Sequence, residues 1–112
     1  MTDTLERSAK FQIGQVVKHR IYPFRGVIFD VDPTYNNTEE WLASIPEDRR
    51  PLRDQPYYYL LAENDESYYE AYVSEQNLVV DNSGKPVEHP QINKMFDEIR
   101  NGHYSLKCGQ SH

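Results

Sequence analysis

The sequence has little of what usually carries chemistry or crosses membranes. Of 112 residues one is a cysteine, Cys108, so no internal disulfide framework exists, and a reduced, cytoplasmic setting is expected. The five glycines, Gly14, Gly26, Gly84, Gly102 and Gly109, stand singly, so there is no glycine-rich loop to cradle a phosphate. No run approaches the ~18 apolar residues of a membrane span. Residues 1–10 are polar, which argues against a signal peptide and marks 1–9 as a flexible lead-in. A nucleophile elbow and a zinc-protease helix motif are both missing. These absences predict a non-enzymatic protein without cofactor or metal and without a membrane partner.

Basic residues are also scarce. Twelve Lys and Arg face eighteen Asp and Glu, for a net charge of −6, so the chain as a whole exerts no pull on phosphate. The imbalance is uneven. Residues 1–32 hold five basic and four acidic groups, whereas residues 33–66 hold three and eight. An anion-facing surface is therefore expected in the N-terminal third.

What is abundant is tyrosine, nine residues in all, which favours strand over helix. Alternation predicts strands over 12–20, 24–32, 57–63, 69–74 and 78–80. In the second of these, Arg25, Val27, Phe29 and Val31 share one face, and Phe24, Gly26, Ile28, Asp30 and Asp32 the other. Both faces are apolar-rich, so this strand is expected to be covered on both sides. Residues 33–55 form a long acidic insertion in which Thr38 caps a short helix carrying Glu39 and Glu40 in its first turn and Trp41, Leu42 and Ile45 as its stripe. Residues 64–67 read as a hairpin turn and 75–77 as a single turn, whose backbone Glu75 and Asn77 can bond. Pro90 opens a C-terminal helix through Ile92, Met95, Phe96 and Ile99. Asn101-Gly102 stops it, and 103–112 follow as a flexible polar tail. The expected fold is mainly β: a small SH3-like barrel, residues 10–102, with the insertion and the C-terminal helix.

Several constellations admit two readings. Asp30-x-Asp32 is either a hard-cation or acid/base pair or a strand end entering a polar turn. His103, Cys108 and His112 offer three zinc-type ligands but match no strong spacing, and nothing orients a base against Cys108. Lys18, His19, Arg20 and Arg25, interleaved with Tyr22 and Phe24, are the DNA-binding candidates: cations meet phosphate and rings stack or wedge. The alternative is ordinary edge-strand charge. Trp41, Leu42, Arg49 and Arg50 are the protein-partner candidates, although Arg49, Arg50 and Arg53 alternate with acids as solvated loops do. Tyr57, Tyr58 and Tyr59 cannot all face inward. With Tyr68, Tyr69 and Tyr72 they make either a barrel core plus subunit contact or a base-stacking platform.

The stretches Lys10-Phe11-x-Ile13-Gly14-Gln15-x-Val17-x-His19 and Arg25-Gly26-Val27-Ile28-x-Asp30-Val31-Asp32-Pro33-x-Tyr35 resemble the opening of the YccV-like, or hemimethylated DNA-binding, domain family. Tyr57-Tyr58-x-Leu60, Ala71-Tyr72-Val73-x-Glu75-x-Asn77-Leu78 and His89-Pro90 resemble its later blocks. The resemblance implies an SH3-like barrel without catalysis. It implies two roles, adjustment of substrate choice by a Lon-type protease or binding of hemimethylated duplex DNA, together with self-association as a homo-oligomer, a trimer being favoured.

Overall fold

The structure, a computed structural model, describes residues 9–107. Val16 and Val17 are adjacent and both buried, so strand β1 (Val16–His19) is covered on both faces. Around it lie β2 (Arg25–Asp32), β3 (Tyr57–Glu63), β4 (Tyr68–Ser74) and β5 (Leu78–Val80), with the short helix α1 (Glu39–Ala43) between β2 and β3. The five strands form an antiparallel sheet in the order β4-β3-β2-β1-β5. This is mainly β structure, as expected, but the sheet is not closed into a barrel: β4 and β5 are its edges, and the three residues of β5 pair only with β1.

Each face buries its own core. On one face Phe11, Val17, Ile28, Tyr58, Leu60 and Leu78 pack together. On the other Val16, Val27 and Leu61 meet Val87, Ile92, Phe96 and Tyr104 from the C-terminal segment. The two-sided covering read from β2 is therefore present, with one change. The β2–β3 register shifts between Ile28 and Asp30. That bulge moves Val31 to the face of Ile28, away from Val27 and Phe29, because one extra residue reverses the alternation beyond it.

The C-terminal helix is a correction. Only Ile92–Met95 is helical, as α2; the chain then turns into β6 (Phe96–Arg100) and returns as β7 (His103–Leu106), so 103–106 is a strand and not a tail. Asn101 and Gly102 both take positive φ, 54° and 76°, and form a two-residue hairpin loop that puts Arg100 opposite His103 and Ile99 opposite Tyr104. Asn-Gly suits this mirror-image turn because both positions need left-handed backbone. The hairpin locks onto β1: Tyr104 N donates to Gly14 O at 2.7 Å and Val16 N to Gly102 O at 3.0 Å. Gly14, at φ 93°, leaves space where a Cβ would lie 2.0 Å from Tyr104 O. At Gly26 a Cβ would lie 2.7 Å from Leu61 O on the neighbouring strand. These close approaches explain both glycines.

α1 forms as expected, with Thr38 Oγ1 accepting from Trp41 N at 3.0 Å. Glu75 does not serve its own 3-10 turn, Glu75–Asn77. Its carboxylate instead accepts from Lys10 N at 2.8 Å and the Tyr58 hydroxyl at 2.6 Å, tying the entering chain to the core.

Candidate functional site

The insertion 33–55 runs beside the sheet and is pinned back to it. Leu52 N donates to Gln76 Oε1 at 3.2 Å, the Tyr57 hydroxyl to Leu52 O at 2.8 Å, and Asn36 N to the Tyr72 hydroxyl at 2.9 Å. Tyr35 and Trp41 pack on Tyr72 with ring centroids 6.1 and 5.4 Å away, and Tyr72 stacks on Tyr57 at 5.1 Å. Tyr35, Tyr57, Tyr59 and Tyr72 thus pack on one another. The Tyr59 and Tyr72 hydroxyls both donate to Asp32 Oδ2, at 2.8 and 3.0 Å. That hydrogen bond, with burial, pushes Tyr59 up to about 12; burial foremost raises Tyr72, and burial brings Tyr57 to about 12. All three stay neutral donors at physiological pH. Asp32 is spent on these bonds and Asp30 accepts from Val31 N at 2.8 Å. No group of three metal-binding side chains occurs among the described residues; His103 lies in β7, while Cys108 and His112 lie outside the described residues.

Between the insertion and the turn that joins β1 to β2 lies a groove of about 800 Å³. Its floor is β4 from Glu70 to Ser74; its walls are Ile21 and Tyr22 on one side and Trp41, Ile45 and Pro46 on the other. Ile21 is 63% and Tyr22 46% exposed, so apolar surface is left open here. His19, Arg20, Arg49 and Arg50 also line the groove. Residues read in the sequence as two separate sites therefore converge on one.

His19 builds the wall of the turn. Its Nδ1 accepts from Ile21 N and Tyr22 N, both at 3.0 Å, and its ring sits between those of Tyr22 and Phe24 at 4.8 and 5.2 Å. Burial, helped by the neighbouring Arg20 charge, lowers its pKa, which suits a nitrogen that must accept. Arg20 Nε donates to Gln76 O and Asn77 Oδ1 at 2.9 and 3.2 Å. Arg49 Nη1 meets the Tyr22 hydroxyl at 3.3 Å across the groove. Arg50 caps α1, donating to Ile45 O and Ala43 O at 2.8 and 3.2 Å. Arg53 pairs with Glu39 and covers the Tyr35 ring at 5.4 Å.

Three candidates lie elsewhere. Leu42 is buried under α1. Lys18 is exposed on β1, outside the groove. Arg25 is a strut inside the fold: Nε donates to Asp81, Nη1 to Glu63 at 2.7 Å and to Pro86 O at 3.0 Å, and Nη2 to Lys85 O. Burial works against its charge, but these bonds and the two carboxylates raise its pKa overall. Burial works against the charge of Asp81 as well, but the Ser83 N–H, which donates to its Oδ1 at 2.8 Å, and then the Arg25 guanidinium hold its pKa below the ordinary value. A signal for this existed, since Arg25 and Glu63 fall opposite each other once the β2–β3 pairing is drawn. Sequence reasoning also missed Ser74. It lines the groove, is 2% exposed, and its hydroxyl oxygen has no hydrogen-bond partner among the described residues.

The fold defines a small antiparallel β domain with a groove beside its edge strand β4. A family model described as "Hemimethylated DNA-binding protein YccV like" matches residues 9–103, and the chain belongs to the YccV-like family. Relatives include F-box only protein 21 of Homo sapiens and of Pongo abelii, each 29% identical over 104 residues, covering 92% of this chain and 16% of the relative. F-box only protein 21 of Mus musculus is 30% identical over 99 residues, covering 88% and 15% respectively. The chain spans only about a sixth of the length of these curated relatives. No helix of the described residues is long and apolar enough to cross a membrane.

Proposed function

We propose that this chain is a non-enzymatic binding module whose groove engages a protein partner, and that the partner is a Lon-type protease or one of its clients. The observation that carries this is the groove itself. It joins the exposed Ile21 and Tyr22 to Trp41 and to the guanidinium of Arg49, and interface energy concentrates on such aromatic and arginine anchors. The net charge of −6 and the commitment of Arg25 to internal carboxylates both weigh against phosphate as the main partner. The resemblance of the sequence blocks to the bacterial heat-shock protein HspQ supports the protease role, self-association and a cytoplasmic setting. The return of β5 to β1 after one 3-10 turn supports an SH3-like reading of the sheet.

A second reading is duplex DNA in its hemimethylated state, favoured by the family's description and by exposed Lys18 and Arg20. Methylation would be read as an apolar mark in the major groove. Two variants separate the readings: Arg49→Glu with Trp41→Ala, and Lys18→Gln with Arg20→Gln. The first pair is expected to abolish any effect on Lon-dependent proteolysis and to spare hemimethylated duplex binding. If instead the second pair abolishes duplex binding with a flattened salt slope while proteolysis is untouched by the first, the protein-partner reading is wrong.

A further inference from the structure

The floor of the groove is one side of an edge strand. β4 pairs with β3 from Tyr68 to Ser74, and no strand lies on its other side among the described residues. An edge strand presents a row of backbone N–H and C=O groups that template another strand. Five consecutive β4 residues, Glu70 to Ser74, line the groove. Because successive side chains alternate between faces, a cavity touched by all five runs along the edge of the strand and not over one face.

The groove also has a chemical sign. Arg20, Arg49 and Arg50 line it against Asp48 and Glu70, which makes it locally cationic in a chain of net charge −6. Apolar surface from Ile21, Tyr22 and Trp41 alternates with those guanidinium groups. At the end of β4, the orphan hydroxyl of Ser74 is the kind of buried polar group that normally has a partner.

We infer that the groove binds an extended, acidic-apolar peptide segment that adds as a further strand to the edge of β4. Main-chain bonds to β4 supply affinity, as in strand addition generally. Apolar side chains of the segment pack on Trp41 and Tyr22, its carboxylates meet Arg49 and Arg20, and a polar group satisfies Ser74. This inference rests on the protein-partner reading and states what part of the partner is seen.

The test is amide NMR on the full chain with three capped heptapeptides: one alternating leucine with glutamate, one alternating leucine with lysine, and a copy of the first with every peptide nitrogen methylated. The glutamate peptide is expected to shift the amides of Tyr68–Ser74 and to bind about tenfold tighter than the lysine peptide. Methylation abolishes the shifts, Arg49→Glu reverses the preference, and Ser74→Ala weakens the peptide without lowering the stability of the free domain. Peptide shifts at Tyr22 and Trp41 that spare β4 and survive methylation overturn strand addition while the partner reading stands. No peptide shifts, with hemimethylated duplex shifting the amides of Lys18 and Arg20, overturns both. No shift at β4 from any peptide, in a chain that still engages the protease, overturns this inference alone.

Discussion

The face of the sheet that carries Val27 and Leu61 is covered twice, by two unlike devices. Beneath the β6–β7 hairpin, Phe96, Ile92 and Tyr104 pack on Val16, Val27 and Leu61, and backbone bonds at Gly14 and Val16 zip the hairpin to β1. Beneath the insertion, Tyr35 and Trp41 lean on Tyr57 and Tyr72, held by polar caps and side-chain bonds. The first seal leaves little room for change, because burial and backbone pairing coincide. Each has a cavity beside it, about 1030 Å³ along the hairpin and about 800 Å³ along the insertion, and the second exposes Ile21 and Tyr22 on its facing wall. The backbone-zipped hairpin and the groove proposed for recognition thus lie toward opposite ends of one sheet, and mutation can show whether that division holds.

The largest effect is expected at the hairpin. Phe96 is 2% exposed, and Phe96→Ala should cost about 3–5 kcal/mol in denaturant unfolding, against about 1 kcal/mol for half-buried Trp41→Ala. Equal losses would erase the contrast. Next, Gly14→Ala combines a positive φ with a Cβ placed 2.0 Å from Tyr104 O, and about 2–3 kcal/mol should be lost with selective loosening of β7 in hydrogen exchange. A third comparison sets two cations apart. Arg25→Gln strands Glu63 and Asp81 and should cost about 2 kcal/mol, whereas Lys18→Gln should leave the unfolding midpoint in place.

The smallest effect concerns pH at the groove wall. His19 has a folded pKa below 6.5, set by burial and then by Arg20. Between that lowered value and 6.5 the unfolded chain binds more protons than the folded one, so stability rises with pH there. Its contribution is complete above 6.5 and falls away as pH drops toward the folded value, below which it is gone. The turn 20–24, whose amides bond His19 Nδ1, should loosen first. His19→Asn, which keeps an acceptor and cannot titrate in this range, should remove the dependence; an unchanged pH profile would detach the turn from His19.

Some of this architecture was legible residue by residue. The strand alternation in β2 and β3 and the Thr38 cap report local constraints, which a chain carries wherever it lies. The C-terminal segment shows how local signals can compete. Ile92, Met95, Phe96 and Ile99 satisfy a helical period, yet Asn101-Gly102 closes a hairpin just as readily as it ends a helix. Burial of Phe96 and Tyr104 against Val16 and Leu61 decides between them, and that partner surface is some eighty residues away in sequence for Val16.

The candidate site divides the same way. Its cations and its tryptophan could be named from the sequence, since those residue types are conspicuous anywhere. Their assignment to two separate surfaces was a product of their distance along the chain: Arg20 and Arg49 became neighbours only when the insertion folded back along β4 and Arg49 reached the Tyr22 hydroxyl. Arg25 looked like its neighbours in sequence and was taken out of their company by Glu63 and Asp81, which approach it from other strands and loops. By itself the sequence determined local conformation and composition: strands, caps, turns, the net negative charge and the family's blocks of residues, because these follow from each residue and its near neighbours. The tertiary structure alone decided the open edge of β4, the groove beside it, the orphan hydroxyl of Ser74 and which cations line that groove, because each depends on what long-range packing brings opposite it.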